Sequence, residues 1–290
     1  MKIKKNEYGF FQIDPLPTNE FLFDYYKKKY YQDLTSTTYK KKYTKEELII
    51  NKIEAHISNT FFNQSCKVND EKTLFDIGCG EGFFMKEMEK LGWKVQGCDF
   101  SNEGIRNQNP YLISKVEFGD IYEILKNCKN SFSFVNLDNV LEHVLYPKKL
   151  LESLKKIVKS KGIIRIEVPN DCTDFQDHLY NAKLSNKEYL VYPDHISYFN
   201  FDSLKSFLTD LDFEIVKIHG DFPISFYLQN KYSNYNIKPE LGKEAHLSRV
   251  KIINYIYKKR GLTSLIKFFE GSYYSNLSRS CVFYVKNKSD

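Results

Sequence analysis

Three glycines at alternate positions constrain this chain more than any other feature of its sequence. The segment DIGCGEG, residues 76–82, follows a short apolar stretch, TLFDI, and precedes an amphipathic stretch, FFMKEMEKLG. Glycines between a strand and a helix let the backbone turn tightly and approach a ligand closely. The start of the following helix favours negative charge at the same place. The segment therefore predicts a ligand-binding loop at the carboxyl end of a buried strand.

Strand-like and helix-like patterns alternate from residue 72 onward. Strands are predicted in the segments TLFDI, WKVQGCD, KVEFGD, FSFVNLD, GIIRIEVP, FEIVKIH and SCVFYVK. Strands that alternate with helices at this spacing are typical of a doubly wound α/β fold. We expect a Rossmann-like, seven-stranded, mostly parallel sheet whose last strand is antiparallel.

Outside this core the sequence is predicted to be helical. Thr18 can cap a helix through FLFDYYKKKYYQDL, and Thr44 can cap a second helix through ELIINKIEAHISNTFF. HLSRVKIINYIYKK and LTSLIKFFE read as helices inserted before the last strand. The expected organisation is a helical cap at 1–70, a core at 71–223, a helical lid at 224–278, and the last strand with a tail at 279–290.

An acidic residue supports nucleoside binding by the glycine loop. Asp99 ends the second predicted strand, 21 residues after Gly78, where a carboxylate can accept hydrogen bonds from both ribose hydroxyls. A dinucleotide site requires a third glycine at residue 83, where this chain has Phe83. Asp76, directed at the ligand, suits an ammonium better than phosphates. An NAD-dependent oxidoreductase remains an alternative that Phe83 and Asp76 disfavour.

At this point the sequence resembles the class I S-adenosylmethionine (SAM)-dependent methyltransferases. Their glycine motif, DxGxGxG, is present at residues 76–82, and an LEH motif is present at residues 141–143. The resemblance covers about residues 72–220 and the last strand. It implies that SAM is the cofactor, that S-adenosylhomocysteine is the product, and that the ligand-binding residues are Asp76, Gly78, Cys79, Gly80, Gly82, Phe83, Asp99, Phe100, Ser101, Asp120, Ile121, Leu137 and Asn139. Of these, Asp99 alternatively acts as an ordinary helix cap, and so does Asp120.

Two histidines are candidates for catalysis. Methyl transfer is an in-line displacement, and a hydroxyl nucleophile must lose its proton as it attacks. His143 follows the fourth predicted strand, and His195 lies between the fifth strand and the next helix. Both therefore belong to the edge of the sheet where this fold binds ligands. We predict that His195 is the base and that His143 supports the cofactor or orients its loop.

The leading expectation is a site without a metal, and a metal-assisted reaction is the minority alternative. Some related RNA 2′-O-methyltransferases and quinone-biosynthesis O-methyltransferases hold magnesium with a Glu-His pair and a carboxylate three residues before it. Glu142 and His143 match this pair, and His195 could add a ligand, but Asn139 replaces the carboxylate. Loss of one anionic ligand weakens a site for a hard cation.

Amino-acid composition and charge restrict where the protein is expected to be located and what it is expected to bind. The formal net charge is +6, which is mild for 290 residues, so nucleic acid is not the expected partner. No apolar run is long enough to span a membrane, the first ten residues lack the apolar stretch of a secretory signal, and the six cysteines form no CxxC pair. We expect a cytoplasmic protein with reduced thiols, for which a homodimer is an open option.

The preferred acceptor is a small polar molecule. Lys243, His246 and Arg249 fall within one or two turns of a predicted helix, where they could bind an anionic sugar or sugar nucleotide. A weak likeness to methyltransferases of bacterial surface polysaccharides favours O-methylation of a glycan precursor. The alternatives are N-methylation of an amino sugar, RNA 2′-O-methylation and a non-catalytic SAM-binding module.

Overall fold

The computed structural model describes residues 2–22, 24–25, 42–66, 71–187 and 189–288. Ten strands lie within these ranges: β1 (Lys2–Lys5), β2 (Phe11–Asp14), β3 (Thr73–Ile77), β4 (Lys94–Asp99), β5 (Val116–Phe118), β6 (Phe132–Asp138), β7 (Val158–Pro169), β8 (Ser197–Tyr198), β9 (Phe213–His219) and β10 (Ser280–Asn287). The described α-helices with assigned bounds are α1 (Lys45–Ser65), α2 (Phe83–Lys90), α3 (Glu103–Gln108), α4 (Ile121–Asn127), α5 (Pro147–Ile157), α6 (Asp174–Asn181), α7 (Phe201–Asp210) and α8 (Gly242–Tyr274).

Seven of these strands form one sheet in the order β5-β4-β3-β6-β7-β10-β9. Strand β3 is parallel to β4 and β6, and β6 is parallel to β7. Strand β10 is antiparallel to both β7 and β9. The predicted mostly parallel sheet with an antiparallel last strand is therefore confirmed.

Helices cover both faces of this sheet. Apolar side chains of α4, α5 and α7 pack against one face. Those of α1, α2 and α8 pack against the other face. Because both faces are covered, the central strands β3, β6 and β10 are almost wholly buried and rich in apolar residues, and this is why they were recognisable in the sequence.

Local signals explain where several helices begin and end. Thr44 caps the start of α1, as predicted from the sequence, and the structure shows that it forms a capping box with Glu47. Pro147 occupies the first position of α5. The inserted helix α8 contains a kink at Gly261, whose φ is 79°, so the two predicted helical stretches are continuous across one kink.

The prediction of a wholly helical segment over residues 1–70 was wrong at its beginning. Strands β1 and β2 form an antiparallel hairpin, and β2 pairs with β8 to make a separate three-stranded sheet. Short polar strands of four residues give little periodicity, and their stability depends on a partner that is remote in sequence. The helix predicted through residues 21–34 lies largely outside the described residues, although 19–22 and 24–25 are helical.

The fold places one crevice at the carboxyl edge of the parallel strands. Strand β3 lies between β4 and β6, so the chain connections leave β3 and β6 in opposite directions. Ligands of open α/β sheets bind at this type of switch point. No helix among the described residues has the length and apolarity needed to cross a membrane.

Candidate active site

The glycine loop between β3 and α2 is a backbone turn that depends on positive φ. Gly78, Gly80 and Gly82 have φ values of 68°, 52° and 73°. The amides of Gly78 and Cys79 donate to the carbonyl of Cys98 at 2.8 and 3.1 Å. These bonds hold the loop against the end of β4, as a ligand-binding turn requires.

Asp99 connects this loop to the next helix. Its Oδ2 accepts from the Gly80 amide at 2.8 Å, and its Oδ1 accepts from the Ser101 amide at 2.9 Å. Burial raises the pKa of this carboxyl above its ordinary value, while the Ser101 and Gly80 amides counteract that rise. The predicted position of Asp99 at the tip of β4 beside the loop is correct, and it braces the loop as well.

Asp76 is buried beneath the loop. The amide Nδ2 of Asn136 donates to its Oδ1 at 2.7 Å. Burial is the main cause that raises the pKa of Asp76 to about 7. A cationic ligand above it would favour the ionised form, so this carboxyl is suited to an ammonium and poorly suited to a phosphate.

An aromatic pair lies at the start of α2. The ring of Phe83 meets that of Tyr43 edge to face, with centroids 5.1 Å apart, and the Tyr43 hydroxyl donates to Glu81 Oε2 at 2.6 Å. Tyr43 could not be selected from local sequence patterns, because the fold alone brings it into contact with the loop. Phe100 is half-buried, at the end of β4.

Asp120 acts as a helix cap in the structure. Its Oδ1 accepts from the amides of Tyr122 and Glu123 at 2.9 and 3.1 Å, at the start of α4. The side chain is exposed, and Ile121 beside it is half-buried. Asp120 is therefore a helix cap, which is one of the two roles considered for it. Its contact with the adenine of the cofactor stays a prediction.

The loop after β6 borders the glycine loop. Leu137 is fully buried, whereas Asn139 is exposed with a φ of 51°. The Asn139 amide donates to the carbonyl of Glu167 at 2.9 Å. A Cβ on Gly78 would lie 2.4 Å from Val140 Cγ2, so this loop packs directly on the glycine turn.

His143 and His195 lie together, with ring centroids 4.9 Å apart. His143 Nδ1 is 2.7 Å from the carbonyl of Asp194, which can only accept, so Nδ1 carries the proton. The other ring nitrogen, Nε2, lies 3.7 Å from Glu142 Oε1. The structure brings the two predicted histidines together with this carboxyl.

Glu142 is the buried member of this histidine cluster, which we define as Glu142, His143 and His195. Burial raises the pKa of Glu142 well above its ordinary value, and neither carboxylate oxygen receives a hydrogen bond among the described residues. One ligand atom from each member lies within 4.8 Å of the others. One carboxylate and two imidazoles could hold a divalent first-row metal ion.

A cavity of about 360 Å³ lies on the other side of Asp138 and Asn139. We call it the charged cavity, because it contains several acids and arginines. Its walls come from α1, α8 and the adjoining ends of β6, β7, β9 and β10. Sequence reasoning missed its charged residues Glu54, Arg165 and Glu167. Arg165 and Glu167 alternate with isoleucines in a buried strand, and this pattern is the sequence signal that could have identified them.

Only two of the three basic residues proposed for an anion lie together, because His246 Nδ1 is 3.5 Å from Arg249 Nη2. Arg249 lines the charged cavity, Lys243 is exposed, and His246 Nε2 lies 3.0 Å from Glu47 Oε1. Their spacing on α8 does not make one cradle, because the helix turns them toward different neighbours.

Comparison with known proteins agrees with this geometry. Residues 53–218 match the family described as methyltransferase domain. Ubiquinone biosynthesis O-methyltransferase of Paraburkholderia phymatum is 32% identical over 96 residues, which cover 31% of this chain and 41% of that protein. The protein of the same name from Caulobacter sp. strain K31 is 27% identical over 163 residues, which cover 53% of this chain and 62% of that protein. The matches thus span less than two thirds of either relative.

Solved structures share the fold at low sequence identity. A SAM-dependent methyltransferase from Archaeoglobus fulgidus has a TM-score of 0.51 and 19% identity, covering 82% of this chain and 94% of its own. The plantazolicin methyltransferase BamL, solved with S-adenosylhomocysteine, has a TM-score of 0.53 and 13% identity, covering 83% and 85%. At these identities the likeness concerns the fold alone.

Proposed function

Because this chain belongs to the methyltransferase-domain family, in the class I SAM-dependent group, we propose that it transfers a methyl group from SAM to a hydroxyl of a small polar acceptor. The observation that supports this most is the glycine loop braced by Asp99, with a separate charged cavity on the far side of Asn139. One site suits the nucleoside of a cofactor and the other suits a second molecule. The names of the curated relatives, which are O-methyltransferases, support a hydroxyl acceptor.

In the proposed reaction the acceptor oxygen forms a bond to the methyl carbon. The bond between that carbon and sulfur breaks, and its electron pair stays on sulfur, so the sulfonium becomes a neutral thioether. The hydroxyl proton must leave at the same time. The protein supplies alignment and a proton acceptor.

His195 is our candidate for this proton acceptor, with His143 as its neighbour. The hydrogen bond of His143 Nδ1 to the Asp194 carbonyl fixes the orientation of that ring beside His195. We expect His195→Ala to lower turnover by about 100-fold or more, the usual contribution of a general base, with SAM affinity nearly unchanged. Release of S-adenosylhomocysteine with a panel of sugars and sugar phosphates measures turnover, and calorimetry measures SAM affinity.

The matched control is His178→Ala, since His178 is an exposed histidine on α6. It should leave both quantities unchanged. Equal turnover in His195→Ala and His178→Ala would remove His195 as the base. Failure of SAM to bind the unmodified protein would refute the proposed function itself.

A metal-assisted reaction is the second candidate, favoured by the proximity of the ligand atoms in the histidine cluster. The buried Glu142 carboxyl would gain a compensating charge from an ion held with His143 and His195. A divalent ion would lower the pKa of an acceptor hydroxyl. Turnover that is lost in EDTA and restored by Mn²⁺ would support this candidate, whereas turnover that EDTA leaves unchanged would exclude it.

The rest of the proposal concerns the chemical identity of the acceptor and the cellular location of the protein. We propose a sugar, a sugar nucleotide or a surface-glycan precursor as the acceptor, with methylation of an amino sugar nitrogen as the alternative. We also propose a cytoplasmic location. Steeply salt-dependent binding to RNA would instead favour the RNA 2′-O-methyltransferase alternative.

A further inference from the structure

The charged cavity lies on the acceptor side of the sheet. In the order β5-β4-β3-β6-β7-β10-β9, the glycine loop and Asp99 belong to β3 and β4. The cavity instead involves the ends of β6, β7, β10 and β9. Strand β6, with Asp138 and Asn139 at its end, is the boundary between the two regions. A molecule in the cavity would therefore lie beside the cofactor loop and would be distinct from the nucleoside.

Arg165 pairs with two of the carboxyl groups that line the cavity. Arg165 is buried, and its Nη1 donates to Asp138 Oδ2 at 3.0 Å. Its Nη2 forms an ion pair with Glu167. The same Nη1 lies 2.9 Å from Asn136 Oδ1. These bonds fix the floor of the cavity and leave the Arg165 charge with two anionic partners.

Two further charged groups are held by the chain around β10. Asp221 Oδ1 accepts from the Ser278 hydroxyl at 2.7 Å and from the amides of Arg279 and Ser280 at 2.8 and 3.0 Å. The guanidinium of Arg279 lies 3.3 Å from Asp171 Oδ1. These bonds fix the rim of the cavity.

Glu54 and Arg249 are the two charged side chains that remain. Within the described part of the chain, no hydrogen bond reaches the Glu54 carboxyl, and the charges of Asp138, Arg165 and Arg249 act on it from a distance. The Arg249 Nη2 lies 3.5 Å from His246 Nδ1, a long contact, and its Nε has no described partner. Glu54 comes from α1 and Arg249 from α8, so the two helices present one acid and one base to the same space.

The cavity as a whole contains an excess of acid. Four carboxyls line it, Glu54, Asp138, Glu167 and Asp221, against three arginines, of which Arg279 already has Asp171 as a partner. Burial raises the pKa of Glu54 to about 7, and the neighbouring Asp138 carboxylate adds to the rise. A cation placed near Glu54 would offset both effects.

We propose, on the basis of the proposed function, that the acceptor is a small zwitterion that directs an amino group to Glu54 and an anionic group, such as a phosphate or carboxylate, to Arg249. An ammonium adds the positive charge that the acid-rich cavity lacks. A guanidinium binds phosphate and carboxylate through paired hydrogen bonds. In this proposal the two residues act as specificity determinants for the acceptor.

A matched panel of four sugars separates the two contacts. Glucose, glucosamine, glucose 6-phosphate and glucosamine 6-phosphate differ only in the amine and the phosphate. Each is titrated by calorimetry into the unmodified protein saturated with S-adenosylhomocysteine. We expect glucosamine 6-phosphate to bind at least about tenfold more tightly than either singly substituted sugar, because each charged contact contributes about 1.4 kcal/mol or more.

Two variants then assign each preference to a side chain. Glu54→Gln should abolish the preference for the amine and keep the preference for the phosphate, while Arg249→Met should do the reverse. Glu46→Gln on α1 and Lys243→Met on α8 are the controls, because both side chains are exposed and should leave all four affinities unchanged. Circular dichroism checks that each variant is folded. Glu54→Gln is expected to fold, because it removes a charge that burial disfavours.

Several results would overturn the inference. Glucose binding as tightly as glucosamine 6-phosphate, binding by none of the four sugars, or preferences that persist in both variants would each do so. Weaker binding of SAM by Glu54→Gln or Arg249→Met would instead place the amino-acid end of the cofactor in the cavity. If S-adenosylhomocysteine itself does not bind, the proposed function fails first, so the two failures are distinguishable.

Discussion

The glycine loop and the charged cavity lie on opposite sides of β6, and they are constructed in different ways. The loop is a run of seven consecutive residues, 76–82, whose backbone is held by Asp99 and by the carbonyl of Cys98. The cavity is formed by side chains from α1, β6, β7, α8 and the chain after β9, which are remote in sequence. A contiguous backbone turn can be recognised in one sequence, whereas a site of dispersed charges becomes visible only after folding.

The largest effect is expected on the cavity side, from Arg165→Met. This change leaves Asp138 and Glu167 without their shared buried cation, which typically costs about 3–5 kcal/mol. The control is Lys217→Met in strand β9, because the Lys217–Glu270 pair is more exposed and should contribute less than about 1 kcal/mol. Denaturant unfolding of both variants measures the difference. Equal stability of the two would show that the cavity does not depend on buried charge.

The next effect is expected in the loop, from Gly78→Ala. A Cβ at this position would lie 2.4 Å from Val140 Cγ2, and the φ of 68° is unfavourable for alanine. Gly92→Ala is the matched control, since Gly92 has a φ of 85° but no atom within 4 Å of its Cβ position. Both variants incur about 1 kcal/mol of backbone cost. Gly78→Ala alone should weaken SAM binding, by about tenfold or more in calorimetry. Similar SAM affinities in the two variants would contradict the close packing described here.

The smallest effect is expected in the pH dependence of stability. The prediction compares Asp76 beneath the glycine loop with Glu54 in the charged cavity. The pKa of Asp76 and that of Glu54 are both raised to about 7, chiefly by burial. A carboxyl with a raised pKa in the folded state adds stability below its unfolded pKa, and this stability is lost as the pH rises through about 7. The melting temperature should therefore fall between about pH 4 and 7. Asp76→Asn and Glu54→Gln should each flatten this fall, and a variant that leaves it unchanged would show that its carboxyl titrates normally.

Much of the fold followed from the sequence because its strands are buried on both faces. All seven core strands were located, and the helix start at Thr44 was found from local residue types. The hairpin of β1 and β2 was not, because its short strands depend on β8, far along the chain.

The candidate site was predictable only in part. Residues of the contiguous glycine loop could be predicted, whereas residues brought together by folding could not. Asp99 could be placed from its separation along the sequence, 21 residues after Gly78, whereas the capping role of Asp120 was one of two open alternatives. Glu54 could not be assigned, since a glutamate beside isoleucines on a helix is recognisable as part of a cavity wall only when α8 packs near it. Arg165 required knowledge that Asp138 ends the neighbouring strand.

The small sheet of β1, β2 and β8 links the first described residues to the histidine cluster. Gln12 Nε2 donates to Ser197 Oγ at 3.1 Å, and the Ile13 amide donates to the carbonyl of Ile196, the residue after His195. During synthesis on the ribosome, β2 must wait for about 185 further residues before this partner emerges. The segment around His195 therefore acquires its final position late, after the glycine loop and its strands have been made. A fusion or truncation that disturbs residues 11–14 would alter the histidines while leaving the cofactor loop intact.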